Sequence, residues 1–334
     1  MILSLNIAPS TASHESYLLS STRATSPDPF TMPFFNRTPL ISLYYLDEGP
    51  STAPVILLIP GLTCDLHDWS WQVPFLLSLG YRTISLDVRG QGRSSAPLPT
   101  PNLTSWPGPN APANIIDYYP QTCAHDAAAL LDHLGVKSVI AIGHSQGDLI
   151  TYHLATLRPD LVRALVGIDG IYRWDNAARE ANGWFFEQKD EVVQNMIGFF
   201  TYTYPPDAPA WMKAWHARRA KAMDPEVMFA LCWGGWGDRE DGLGRTEVAV
   251  RQWKGRLECP HLVVGSSEDA VRVDRGELWR GDKLDEIVVI EGKGHWLHQA
   301  GSERFNAVVE KWLGRVGMLP EKGVAEEERG RRYS

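Results

Sequence analysis

The chain has 334 residues, of which 44% are hydrophobic and 22% charged, the ordinary usage of a globular protein. Its net charge of −8 argues against nucleic acid or an anionic membrane as a main partner. No apolar run approaches the about 18–20 residues of a membrane span, and the N-terminus lacks the basic start of a secretory signal. The cysteines, Cys64, Cys123, Cys232 and Cys259, lack metal-ligand spacing. We therefore expect a cytoplasmic protein with reduced thiols.

Short apolar runs follow one another from about residue 38 onward. In chain order they are "PLISLYYLDEG", "APVILLIPG", "YRTISLDVRG", "VKSVIAIGHS", "LVRALVGIDG", "PHLVVGSS" and "DEIVVIEGKG". Helical patterns such as "TCAHDAAALLDHLG" and "DLITYHLATLRP" separate several of them, and "ERFNAVVEKWLGRVG" closes the series. Short all-apolar strands alternating with helices are typical of a parallel sheet covered on both faces. The pattern predicts an α/β fold with a mostly parallel central sheet flanked by helices.

Changes in amino-acid composition along the chain also predict its domain organisation. Residues 1–32 are rich in Ser, Thr and Pro without periodicity, and we expect a loose arm. The α/β core covers 33–173 and 257–318. The intervening segment, 174–256, is helical, irregular and crowded with aromatic residues, and 319–334 is a charged tail.

The stretch "AIGHSQGDLI" places Ser145 between Gly143 and Gly147, after an apolar strand and before a helix. Gly-x-Ser-x-Gly in that setting is a nucleophile elbow: the glycines allow close approach of strand and helix, and the serine hydroxyl stands on a tight turn. The amides at the start of the helix favour developing negative charge at the same place. Ser145 is therefore predicted to be a nucleophile.

The motifs "LIPGLTCDLHDW", "LDVRGQGRS", "GHSQG", "PHLVVGSSEDAV" and "GKGHW" occur in one order along the chain. In this the chain resembles the α/β-hydrolase superfamily, from about residue 38 to 316. The resemblance implies a mostly parallel sheet with a helical cap inserted after the sixth strand, which falls on 174–256. It is specific for the fold and much less so for the substrate.

A serine hydroxyl needs a base that takes its proton. His295 follows the last apolar strand in "VVIEGKGHWLH", where the base is expected. His298, one helical turn on, is the competing histidine, and we interpret it as a pocket-lining or hydrogen-bonded residue.

The acid that orients the base has three candidates. The family usually places it after the strand "HLVVG", in a loop that reads Gly265-Ser-Ser-Glu-Asp-Ala-Val here. Counting from the glycine favours Glu268, whereas the following Ala-Val favours Asp269. Some members carry the acid after the preceding strand, which points to Asp169. Asp269 is our first choice, and the other two remain open.

Two backbone amides are needed to stabilise an oxyanion. The resemblance assigns them to Gln146, after the nucleophile, and to Leu62 in "PGLT". Many relatives have His-Gly where this chain has Pro60-Gly61. Because the donor is a backbone group, this departure does not remove the oxyanion hole.

The aromatic segment carries the information on specificity. It holds seven of the 13 tryptophans, and an aromatic-lined pocket favours a bulky, uncharged substrate. The residues proposed for the pocket are Trp174, Trp184, Trp233 and His298.

These features predict a serine hydrolase that cleaves an ester or lactone of a bulky, largely apolar or aromatic small molecule through an acyl-enzyme, with no cofactor and no metal. One alternative keeps the fold but changes the reaction to C–C bond hydrolysis or cofactor-free dioxygenation of a heteroaromatic compound. Such dioxygenases have Trp and His at positions that fall on Leu62 and Cys64, and Asp169 as the acid would bring the chain closer to them. The other alternative is a non-catalytic, receptor-like hydrolase.

Overall fold

The computed structural model describes residues 33–173, 189–237 and 240–320. The predicted arm, 1–32, and the tail from residue 321 onward lie outside the described residues. The described chain builds an eight-stranded sheet with the order β1-β2-β4-β3-β5-β6-β7-β8. The strands are β1 (Phe34–Asn36), β2 (Ser42–Glu48), β3 (Val55–Ile59), β4 (Arg82–Leu86), β5 (Val139–His144), β6 (Val162–Ile168), β7 (His261–Gly265) and β8 (Glu286–Val289).

Parallel pairing dominates the sheet. The first two pairings, β1 with β2 and β2 with β4, are antiparallel, and every pairing from β4 through β3, β5, β6 and β7 to β8 is parallel. Because parallel strands are joined by crossovers, their carboxyl ends lie at one edge of the sheet. The predicted fold class is confirmed, and that edge is where the motifs of the sequence converge.

Nine helices are described, numbered here in chain order. They are α1 (Val73–Ser78), α2 (Pro120–His133), α3 (Gln146–Leu157), α4 (Val192–Thr203), α5 (Ala210–Ala222), α6 (Pro225–Trp236), α7 (Thr246–Trp253), α8 (Leu297–Ala300) and α9 (Ser302–Arg315). Short 3₁₀ turns occupy Leu66–Trp69 and Lys189–Glu191. No helix in the described part of the chain is long and apolar enough to cross a membrane.

Strand β3 shows how the sheet serves two cores. Its side chains alternate between the two faces, as in any strand. Val55, Leu57 and Ile59 join a cluster that includes residues of α2 and α3, whereas Ile56 and Leu58 join a second cluster with residues of α1 and α9. All five residues are buried, which explains why this strand is apolar without interruption.

The helical insertion follows β6, as the family resemblance implies. Helices α4 to α7 lie in the chain between β6 and β7. Buried residues of α4 and α6, such as Phe200 and Val227, belong to the same core cluster as α2 and α3. The exact limits of the cap, 174 and 256, stay a prediction, and Trp174 and Trp184 lie outside the described residues.

Candidate active site

Ser145 stands at the junction of β5 and α3, on a strained backbone. Its φ of 56° and ψ of −116° are unusual for a residue with a side chain, and its amide donates to the Ile168 carbonyl at 2.9 Å. A Cβ atom at Gly143 would lie 2.3 Å from the carbonyl oxygen of Gly147, and one at Gly147 would lie 2.2 Å from that of Ile59. Both glycines are therefore required by close backbone approach. The backbone therefore forms the tight turn between strand and helix that the motif predicts, and the role of Ser145 as a nucleophile stays a prediction.

His295 lies in the turn after β8, at the same edge of the sheet. Its Nδ1 is 2.5 Å from Oδ2 of Asp169, and its amide donates to the Thr203 carbonyl at the end of α4 at 2.8 Å. The imidazole is 5% exposed. His295 is therefore held in two places: a carboxylate contacts Nδ1 of its ring, and the cap accepts a hydrogen bond from its backbone amide.

Asp169 is the carboxylate beside His295, and this corrects the preference for Asp269. Asp169 directly follows β6 and is 2% exposed. Its Oδ1 accepts the amide of Ser266 at 2.7 Å. The Asp269 side chain is 70% exposed and pairs with Arg173 and Arg272 at 3.4 and 3.3 Å.

Glu268, the other candidate after β7, also points away from the base. Its side chain is 69% exposed and lies 3.3 Å from Arg275. The physical reason is shared by Glu268 and Asp269: the loop after β7 turns into water, where arginines neutralise its carboxylates. The family resemblance offers Asp169 as an alternative, because some members carry the acid after the preceding strand. The sequence carried no signal for its burial.

The charge state of Asp169 decides the tautomer of His295. Burial raises the pKa of Asp169, but the hydrogen bond and charge of His295, the charge of Arg173 and the Ser266 amide together lower it to about 2. A carboxylate can only accept hydrogen bonds, so Nδ1 of His295 carries the proton. We infer from this network that Nε2 is left with a lone pair that can take a proton.

The two predicted oxyanion donors flank Ser145. Gln146 is the first residue of α3, and amides in the first turn of a helix have no acceptor within the helix. Leu62 follows β3 and lines the same cavity as Ser145. A Cβ atom at the adjacent Gly61 would lie 3.1 Å from the Ser145 Cβ. This close approach brings the Gly61–Leu62 loop against the serine.

Ser145 and His295 open into a cavity of about 480 Å³. Aromatic side chains from the cap and from the base loop form much of its wall. They are Phe199, Phe200, Tyr202, Trp236 and Trp296. Trp296 escaped notice in the sequence because it lies outside the aromatic segment, although it immediately follows His295.

Two residues proposed for the pocket lie elsewhere. Trp233 lines a separate groove together with residues 99–104 of the segment between β4 and α2. His298 is fully buried behind the elbow, its ring centred 5.0 Å from that of Trp69 and 4.4 Å from that of His144. The spacing of aromatic residues in the sequence could not separate these locations, because it does not show which face of each helix meets the cavity.

A sequence profile of the α/β hydrolase fold matches residues 54–300. The chain belongs to the α/β-hydrolase family.

Two curated relatives of this hydrolase come from Acinetobacter. A bifunctional esterase/perhydrolase of Acinetobacter calcoaceticus is 33% identical over 247 residues, which covers 69% of this chain and 80% of the relative. The (E)-2-((N-methylformamido)methylene)succinate hydrolase of Acinetobacter baylyi is 23% identical over 272 residues, covering 81% and 93%.

Solved structures share the fold of the hydrolase. The enol-lactonase from Burkholderia xenovorans LB400 superposes with a TM-score of 0.64 at 18% identity, covering 84% of this chain and all of the lactonase. At that identity the likeness supports the architecture alone. Together with the relatives, these findings make the protein an enzyme and a hydrolase.

His144, beside the predicted nucleophile, packs inside the hydrolase and is 1% exposed. Its Nε2 lies 2.9 Å from the carbonyl oxygen of His295, and since a carbonyl only accepts, Nε2 donates. Burial, together with the neighbouring His298 and His295, lowers the pKa of His144 well below its usual value. The ring is therefore a neutral spacer that links the elbow to the loop of His295.

Proposed function

We propose that this hydrolase cleaves carboxylic esters, including lactones, of bulky and largely apolar small molecules through an acyl-enzyme on Ser145. One observation carries the proposal: His295 is hydrogen-bonded to a buried Asp169 and lines the same cavity as Ser145. A nucleophile, a base and an orienting acid in that relation are the elements of serine-based acyl transfer.

Each residue has a defined role in the proposed reaction. His295 takes the proton of Ser145 as the hydroxyl oxygen attacks the ester carbonyl, and Asp169 stabilises the resulting imidazolium. The amides of Gln146 and Leu62 bind the oxyanion. His295 then gives the proton to the departing alcohol, and it activates the water that hydrolyses the acyl-enzyme.

The cavity wall supports an uncharged substrate. Lys, Arg, Asp and Glu are absent from the described residues that line it. A charged substrate group buried there would lose its hydration without gaining an ionic partner. A volume of about 480 Å³ lies within the range of cavities that hold drug-sized ligands, about 300–1,000 Å³.

The relatives support the ester as the substrate bond. The one that shares 33% identity over 69% of this chain is named an esterase and perhydrolase. The relative named for a methylene-succinate derivative is less similar, at 23% identity. The proposal therefore takes the reaction class, and no individual substrate, from these proteins.

A sharp experiment compares two p-nitrophenyl esters of equal length, the butyrate and the negatively charged hemisuccinate. We expect rapid hydrolysis of the neutral ester and at least about tenfold lower kcat/KM for the charged one, because its carboxylate pays the desolvation penalty. Mass spectrometry of the quenched reaction should find the butyryl group on Ser145. Absence of an acyl adduct together with absence of hydrolysis across aryl esters and lactones would overturn the proposal.

A second candidate is cofactor-free dioxygenation of a heteroaromatic compound, favoured by the position of Asp169 after β6. The observation against it is the loop after β3, where Leu62 and Cys64 stand at the positions of the Trp and His of such enzymes. Burial, followed by the charge of Asp68, raises the pKa of the Cys64 thiol well above its usual value, so this side chain stays a neutral thiol. Oxygen consumption with heteroaromatic diones would favour this candidate over ester hydrolysis.

We also propose a cytoplasmic location and a small-molecule substrate as the main partner. Support comes from the cysteines, which are all free and buried, as is usual in a reducing compartment.

A further inference from the structure

A cluster of three buried polar side chains lies behind the nucleophile elbow. Asp68 comes from the 3₁₀ turn Leu66–Trp69, His144 from the end of β5 and His298 from α8. All three residues are at most 1% exposed. One ligand-type atom of each lies within 4.8 Å of the others. Three elements of the site are therefore joined by groups that can coordinate a metal.

The facing atoms of this cluster are unsatisfied. Oδ2 of Asp68, Nδ1 of His144 and both ring nitrogens of His298 have no hydrogen-bond partner among the described residues. Buried polar atoms without partners are uncommon and unfavourable, and each one calls for an explanation. Because ligand-type atoms of all three residues also lie within 4.8 Å of one another, a group bound among them would explain the missing partners.

The protonation states suit a cation. Nε2 of His144 donates to the His295 carbonyl, so its Nδ1 presents a lone pair, and a backbone carbonyl on the other nitrogen is the usual support of a ligating histidine. His298 is fully buried and no described carboxylate accepts a hydrogen bond from either of its ring nitrogens, so no partner holds this ring in its charged form. Metal binding requires neutral imidazoles and an ionised carboxylate.

Asp68 supplies that carboxylate. Arg219 pairs with Oδ1 of Asp68 and also with Oδ1 of Asp65, which favours the ionised form of both carboxylates. Oδ2 of Asp68 has no hydrogen-bond partner among the described residues. One guanidinium therefore serves two carboxylates, and the cluster with its neutral rings retains one uncompensated negative charge.

We propose that Asp68, His144 and His298 bind one divalent transition-metal ion, with zinc as the best match to two imidazoles and one carboxylate. Ligand atoms of a tetrahedral zinc site lie about 3.3 Å apart, so the three side chains need to close by at most about 1.5 Å. Calcium and magnesium are disfavoured because they prefer oxygen ligands throughout.

The bound ion stabilises the active-site loops. It links the turn that follows the Gly61–Leu62 loop, the strand that ends at His144, beside Ser145, and the helix that follows His295. A ligand that binds only the folded chain raises its stability by mass action. The inference is independent of the substrate proposed above.

The test uses the full chain after dialysis against a chelator, with zinc chloride as the probe. We expect one equivalent of zinc to remain bound after gel filtration, and the unfolding temperature to rise with zinc concentration. His298→Phe and Asp68→Asn should each weaken zinc binding by at least about tenfold, because even the loss of a group that only supports a metal ligand lowers affinity by about that factor. His261→Phe is the matched control, since His261 is a buried histidine in β7 and should leave zinc binding unchanged.

A second readout keeps the test decisive if a variant fails to fold. Cobalt(II) added to the dialysed wild-type chain should give the visible absorption of a tetrahedral site with nitrogen and oxygen ligands. The proposal is overturned if the wild type retains no stoichiometric metal and gives no such spectrum. It is equally overturned if folded His298→Phe or Asp68→Asn binds zinc as tightly as the wild type does, since buried water or internal hydrogen bonds then fill the cluster.

Discussion

The loops after β6 and β7 begin side by side and end in opposite environments. The strands pair in parallel register, with Ile168 opposite Val264, and the Asp169 amide donates to the Val264 carbonyl at 2.9 Å. Yet Asp169 is 2% exposed, whereas the side chains of Glu268 and Asp269 are 69% and 70% exposed. Position at the catalytic edge is therefore insufficient to make a carboxylate part of the site.

The difference between the two loops lies in what each carboxylate contacts. Asp169 accepts hydrogen bonds from the ring of His295 and from the amide of Ser266, both inside the protein. Asp269 faces two arginines in water, and exposed ion pairs of this kind contribute little to stability. A buried carboxylate that loses its charge has no water to replace the lost interaction, so we expect the two loops to respond very differently to the same substitution.

The largest loss of activity is expected from substitution of the proposed nucleophile, which the acid in one of these loops is proposed to assist through His295. Ser145→Ala should reduce kcat by about 10⁶-fold, as in serine proteases that lose their nucleophile. A fluorophosphonate probe should label the wild type and leave the variant unlabelled. Equal labelling of both folded proteins would remove Ser145 from the mechanism, and with it the reason to compare the loops.

The acid at the end of β6 is expected to come next. Asp169→Asn keeps the shape of the side chain but lets the amide favour the wrong tautomer of His295, for which about a 10⁴-fold loss of kcat is known in a serine protease. KM should change little, because Asp169 acts through His295. A mild effect, with severe loss in Asp269→Asn instead, would make Asp269 the orienting acid and overturn the assignment to Asp169.

The same comparison extends to stability in acid. The pKa of Asp169 is about 2 in the folded chain, below its ordinary 3.8, so its contribution is present above the ordinary value and is lost as the pH falls through about 2. The unfolded chain binds more protons in this interval, and stability must decline. Urea unfolding at decreasing pH should therefore show that the free energy of unfolding of the wild type falls relative to that of Asp169→Asn.

Asp269→Asn is the control for that pH series, since it also removes one formal negative charge but from a water-exposed side chain. If the free-energy difference between the wild type and Asp169→Asn stays constant down to a pH of about 2.5, the buried hydrogen bond between Asp169 and His295 does not form in solution.

The smallest effects are expected in the β7 loop. Glu268→Gln and Asp269→Asn should each change kcat/KM by no more than a few-fold, because water and salt screen exposed charges at this distance from the reaction. Steady-state kinetics at two salt concentrations checks this. A loss of kcat/KM of more than about a hundredfold in either variant is incompatible with a water-exposed side chain that takes no part in the reaction. The proposed difference between the two loops would then be wrong.

Much of the fold and the reactive pair could be predicted from local sequence. The elbow is recognisable from five consecutive residues, because Gly143 and Gly147 stand where the backbone approaches the carbonyls of Gly147 and Ile59 too closely for a side chain. His295 was found because it follows an apolar strand at a position set by chain order. Such features are visible in a sequence because a short motif or the end of an apolar strand marks them.

The acid and the pocket depended on long-range packing. Asp169 and His295 are 126 residues apart, and Trp296 and Phe200 meet with ring centroids 5.2 Å apart across the boundary of core and cap. Trp233 belongs to the same aromatic segment and lines another groove. Composition could predict an aromatic wall but could not select its members.

The sequence by itself determined that this chain forms a parallel α/β sheet with a serine on a tight turn and a histidine after the last strand. Apolar runs that are buried on both faces and glycines at points of close approach have few alternatives. The tertiary structure alone decided that Asp169 meets His295 while Glu268 and Asp269 meet arginines and water. Burial is a property of everything packed around a side chain, and no short stretch of sequence carries it.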